Sequence, residues 1–207
     1  MKTKYLAVLL LPSMLFLTQF LYADSPLTST GISAAYKDSK IVQMASKTKG
    51  ELTVELMNYL IKSKNPTDVK IAVINELGWD FDGKNNSATF FDYLKKKKKY
   101  KNEDDFLRNG SADLLICMAY LKALDDYFDV EAALTFAQKA KEKNGGSYTI
   151  QIMCALIEAQ RAMDSDWCEV YNLTNNVRIN ESLKRDMRQD AMDIIFEYMD
   201  LYKDECK

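Results

Sequence analysis

The stretch Asp80-Phe81-Asp82-Gly83-Lys84-Asn85-Asn86 sets side-chain oxygens at alternate places, as a calcium loop does at its start. Counted from Asp80, an EF-hand loop needs an oxygen ligand at its fifth place, Gly at the sixth and Glu at the twelfth. Those places hold Lys84, Asn85 and Phe91. A lysine ammonium in a ligand position repels the ion, so the stretch reads as a corner. Gly83 stops one helix, because glycine tolerates positive φ, and Asn85 or Asn86 caps the next. The helix before it is expected to start at Asn65-Pro66, with Asn65 as cap, and to run through Gly78 to about Asp82.

Carboxylate pairs are the second candidate: Asp125 and Asp126 with Asp129, and Asp164 with Asp166. Acid–base hydrolysis needs two carboxyls facing one pocket, about 5–10 Å apart, with their pKa values pushed apart. These aspartates fall at interhelical turns, where capping accounts for them. The chain has no histidine. Imidazole titrates near neutrality and ligates as a neutral base, so its absence removes most metal sites and most acyl-transfer triads. Carboxylate-only hydrolysis needs none. No catalytic, cofactor-binding or metal-ligating residue is assigned, and the chain reads as a non-enzyme.

Four cysteines remain, Cys117, Cys154, Cys168 and Cys206, with neither a CxxC motif nor a zinc spacing. Four thiols allow three pairings. Cys117 and Cys154 sit in apolar helical runs and read as small core side chains. Cys168 and Cys206 have more polar neighbours and are the candidate disulfide. Tyr93, Tyr100, Tyr120 and Tyr127 offer aromatic surface for a peptide or glycan, against ordinary packing as the simpler reading. Asn85, Asn109, Asn172 and Asn180 fit the N-glycosylation pattern, which matters only in a glycosylating host.

The elements that would position these residues are helical. Seven glycines and three prolines punctuate 207 residues, too few for a sandwich of short strands. Residues 1–23 read as a secretory signal peptide: Lys2 and Lys4, a short apolar run broken by Pro12, and Ala23 at the cleavage position. An uncleaved anchor is the alternative. Loss of Lys2 and Lys4 takes the net charge from −2 to −4, which gives no general affinity for nucleic acid. Residues 24–48 form a lead-in segment, and 49–207 a single helical domain. Helices are expected over about 51–62 and 87–97, with Lys95 to Lys99 as a solvated C-terminus partly neutralised by Glu103-Asp104-Asp105. Residues 112–124 and 148–163 are apolar nearly all round and must be covered on several sides. Amphipathic segments, 130–143 and 167–177, follow each of them. A long capping helix is expected from about Glu181 to Glu205.

Shifted by 37 residues, the two apolar helices align, with Cys117 on Cys154, and Asp129 falls on Asp166, each ahead of its helix as an N-cap. The segment Asp129 to Ala140 ("DVEAALTFAQKA") resembles the second helix of a tetratricopeptide repeat, through Asp129, Ala133 and Ala140. Asp164 to Leu173 is similar, with Val170 in the place of the small residue, and Leu77-Gly78 resembles the Leu-Gly of a first helix. The period is longer than the family's, and no closing proline appears. The resemblance covers about residues 66–177. It implies an all-α fold of antiparallel helical hairpins in a short array, a protein or peptide partner bound outside the cytoplasm, and no cofactor. A different expectation is a secreted inhibitor or immunity-type protein using a protruding loop such as Asn102 to Gly110. A third is a hydrolase that uses carboxylates alone.

Overall fold

The computed structural model describes residues 25–78 and 85–206. The leader expected over residues 1–23, and the corner residues Asp80, Asp82 and Gly83, lie outside them. A 3-10 turn, Ile32–Tyr36, leads into α1 (Lys40–Ala45), α2 (Val54–Leu60), α3 (Thr67–Leu77), α4 (Asn86–Lys98) and α5 (Glu103–Asn109). Then come α6 (Ala112–Asp125), α7 (Glu131–Lys143), α8 (Tyr148–Ala162), α9 (Trp167–Arg178) and α10 (Gln189–Met199), and a last 3-10 turn, Asp200–Glu205. The fold is all-α. Among the described residues there is no strand, only an isolated bridge between Ser147 and Lys184. None of their helices is long and apolar enough to cross a membrane.

The centre is α6 and α8, as their all-round apolar composition requires. Every residue from Leu114 to Leu121 is buried, and so is every residue from Ile152 to Ile157. Such helices need neighbours on all sides. α6 packs against α3, α4, α7 and α8, and α8 packs against α3, α6, α7 and α9. Residues 126–130 join α6 to α7, residues 163–166 join α8 to α9, and the two helices of each pair pack against each other. On α7 the inward residues include Ala133, Ala137 and Ala140, all buried, whose small side chains let α6 and α8 approach.

The N-terminal segment belongs to the same core. Leu27, Ile32, Tyr36, Val42 and Ala45 are buried within it, and the first 3-10 turn packs against both α3 and α10. Tyr36 carries this joint. Its hydroxyl donates to Asp68 Oδ2 at 2.8 Å and accepts from the Arg188 backbone N–H at 3.3 Å. The Arg188 guanidinium lies over the Tyr36 ring and reaches Asp38 at 2.6 Å. Burial, then the hydrogen bond to Asp68, pushes the Tyr36 phenol well above its usual range. On the other side of α3, fully buried Lys70 pairs with Asp113 of α6. Removal of Asp113 would strand the Lys70 charge in the interior, which makes this pair a fixed point between the helices.

Several local expectations differ from the structure. Gly78 does not lie inside a helix: it ends α3 with φ +73, a conformation open to glycine, and its N–H bonds to Asn75 O. Pro66 rather than Asn65 stands at the helix start; the Asn65 amide turns back to Tyr59 O at 2.8 Å. The C-terminal helix begins at Gln189, not Glu181. Residues before it are engaged elsewhere: Lys184 exchanges backbone bonds with Gly146 and Tyr148, and Asp186 Oδ1 accepts from Thr149 N at 2.9 Å. The chain there caps the start of α8 instead of extending its own helix. Residues 102–110 are not a protruding loop but contain α5, anchored by fully buried Phe106. Glu103 pairs with Lys122 at 2.9 Å rather than with the exposed lysines at the end of α4.

Candidate functional site

The exposed large apolar side chains include Phe128 and Trp167, 83% and 53% accessible. Both line one cleft of about 410 Å³, set where the α6–α7 turn meets the α8–α9 turn. Its position follows from how the two turns are capped. Asp126 Oδ1 accepts from Phe128 N and Asp129 N, each at 3.1 Å, a side-chain turn that reverses the chain and leaves the Phe128 ring outside. Buried Tyr127 supports that ring, with centroids 4.2 Å apart. Asp129 is not the N-cap of α7: Val130 holds that place without a side-chain cap, and Asp129 Oδ1 accepts from Glu131 N at 3.2 Å as a turn bond.

At the matching position the second turn has a true helix cap. Asp166 Oδ1 accepts from Glu169 N at 3.0 Å and caps α9. Trp167 follows it, and the indole N–H donates to Met163 O at 2.9 Å. That bond satisfies a carbonyl freed at the end of α8 and holds the ring at the cleft. Trp167 also meets Tyr202 edge-on, with centroids 6.3 Å apart. Arg161 and Glu131 face each other at 3.6 Å along the lining, and Gln160 Oε1 is buried there without a hydrogen-bond partner. The cleft therefore offers two aromatic faces, charges of both signs, and one acceptor waiting for a donor. Those are the features that take an apolar side chain together with a peptide N–H.

Cys168, one residue after Trp167, is bonded to Cys206, with Cα atoms 4.7 Å apart. The bridge fastens the last 3-10 turn onto the first turn of α9, beside the cleft. Cys117 and Cys154 are buried free thiols, each pushed up to about 12 by burial and so protonated near neutrality.

The carboxylate candidates divide. Asp125 accepts from Asn86 N and Ser87 N at 3.1 and 2.7 Å, capping α4 from another helix, while Asp126, Asp129 and Asp166 bond their own turns. Asp129 and Asp164 both line the cleft, and both are exposed. Among the described residues no group of three or more Cys, Asp or Glu is placed to hold a metal. Asn85 Oδ1 caps α4 by accepting from Ala88 N at 2.9 Å. Of the tyrosines, Tyr93 and Tyr120 are buried and Tyr100 is half-buried, and these three pack the interior, whereas buried Tyr127 lines the cleft beside Phe128. Asn85, Asn109, Asn172 and Asn180 are exposed.

Phe128, Gln160, Arg161 and Trp167 were not singled out by spacing. Their one legible signal is an aromatic set against an aspartate at each turn, "DDYFD" and "DSDW". No protein-family model, curated protein or solved structure matches this chain.

Proposed function

We propose that the chain is an exported, helical-repeat-like protein that binds a protein or peptide partner outside the cytoplasm and performs no catalysis. The observation that carries the binding reading is the cleft lined by exposed Phe128 and Trp167. Soluble domains seldom leave two large aromatics open around one concavity without a partner. The partner contributes an apolar side chain between the two rings, with a donor directed at Gln160 Oε1. Packing of α6 with α7, and α8 with α9, around a shared interior supports the resemblance to tetratricopeptide-like pairs. The Cys168–Cys206 bridge supports an oxidising compartment.

The test is paired capture. Residues 24–207 and their Phe128→Ser/Trp167→Ser variant are immobilised and exposed to the native envelope or culture fluid. A partner retained by the wild type and lost by the variant supports the proposal. Equal recovery by both, or by neither, counts against it.

A further inference from the structure

At the opposite end of α8 and α9, Tyr148, Arg178, Arg185, Met192, Asp193 and Phe196 line a second cleft of about 400 Å³. Arg178 is the last residue of α9. Its two terminal nitrogens reach Asp200 at 3.3 and 2.5 Å, and its guanidinium lies 3.6 Å from the Phe196 ring centroid. Its Nε is buried and has no hydrogen-bond partner. Arg185 is exposed. Its Nη2 donates to the carbonyls of Arg178 and Asn180, at 2.8 and 3.5 Å, which holds the guanidinium 4.5 Å from the Tyr148 ring centroid. It enters no ion pair among the described residues. Tyr148 is fully buried, and its hydroxyl makes no well-formed hydrogen bond, with the Arg185 guanidinium near it.

A buried hydroxyl and a buried guanidinium N–H left unpaired are unfavourable, and native interiors avoid both. Here both occur in one cleft, beside an arginine with no carboxylate partner. All three groups can donate, so the missing partner is an acceptor that carries negative charge. The one free-standing carboxylate in the lining, Asp193, is occupied on Oδ1 by the Gln189 amide at 2.7 Å. Met192 and Phe196 supply an apolar wall. We propose that this cleft binds one oxyanion, carboxylate or phosphate, carried on a small apolar stem. Arg185, the Tyr148 hydroxyl and Arg178 Nε hold the oxyanion. Exposed Arg185 swings off the tyrosine ring to admit it.

The test is calorimetric titration of the disulfide-intact chain with 3-phenylpropionate and, separately, with phenyl phosphate. Saturable binding of at least one, with Kd on the order of 1 mM or tighter, is expected; the tighter of the two identifies the oxyanion. Arg185→Ala weakens it about tenfold or more, since it removes a charge-assisted contact. Tyr148→Phe weakens it about threefold or more, yet the ligand-free variant melts close to the wild type, because its hydroxyl had no well-formed hydrogen bond to lose. Val54→Ala, exposed on a different surface, leaves affinity unchanged. Absence of saturable binding for both compounds overturns the proposal, and so does wild-type affinity in both Arg185→Ala and Tyr148→Phe.

Discussion

Helices α8 and α9 carry a cleft at each end, built from opposite chemistry. At the turn end, two aromatic rings stand in solvent and the unpaired buried atom is an acceptor, Gln160 Oε1. At the far end the aromatics are buried, and the unpaired atoms are donors, on Tyr148 and Arg178. The difference begins with what each helix end lacks. The end of α8 exposes carbonyls, and the Trp167 indole N–H answers one of them, which sets its ring at the surface. The start of α8 exposes N–H groups. Ser147 Oγ and Asp186 Oδ1 answer two of these, and the segment that brings Asp186 also brings Arg185 over Tyr148. Capping thus decides which side chains are left over at each end.

Alkali should break both ends together, with the largest effect. Cys117 and Cys154 lie in the shared interior, and burial raises each thiol from 9.0 to about 12. The folded chain keeps protons that the unfolded chain releases. Stability is therefore complete below pH 9 and falls as pH rises toward 12, by about 1 kcal/mol per pH unit for each thiol. Chemical denaturation across that window, compared with Cys117→Ala/Cys154→Ala, measures it; an identical pH slope in the two proteins would argue against burial as the cause.

Loss of the disulfide should separate the ends. Cys206→Ser releases a closure between residues 38 apart in sequence and lowers stability by about 4 kcal/mol in the chain-entropy account. It frees the last 3-10 turn from α9, so Trp167 emission shifts and the Arg178–Asp200 pair loosens, while Arg185 and Tyr148 keep their side of the anion cleft. Asp186→Ala should do the reverse. It strips one cap from α8, costs about 1 kcal/mol by urea unfolding, and weakens anion binding without loss of the protein partner. Phe128→Ser sharpens the contrast most at the least structural cost. Its ring is exposed, so stability stays within about 0.5 kcal/mol, whereas partner capture fails.

Much of the fold was legible in residue types. The all-round apolar runs at 112–124 and 148–163 could only be central helices, and both are buried as that composition requires. Asp166 and Asn85 act as helix caps, as their positions indicated, and Cys168 is bonded to Cys206. The misreadings share one cause, that a segment's partner lies far away in sequence. Residues 181–188 carry a helical pattern but are spent on α8, across contacts nearly forty residues apart, which periodicity does not register. Gly78 could be read as packing inside a helix or as ending one; only its φ of +73 decides. The turn cleft was invisible for the same reason. Phe128 and Trp167 are distant in sequence and meet around one concavity because the two helix pairs stack.

The central claim, that the turn cleft is where a partner binds, is tested most directly by photo-crosslinking. A photoreactive phenylalanine analogue at position 128 sits on an exposed side chain and leaves the core untouched. The same analogue at Val54, also exposed at 60%, is the control on a different surface. Irradiation in the native compartment should give a discrete adduct from position 128, lost in the Trp167→Ser background, and none from position 54. No adduct from position 128, or equal adducts from both positions, would contradict the account.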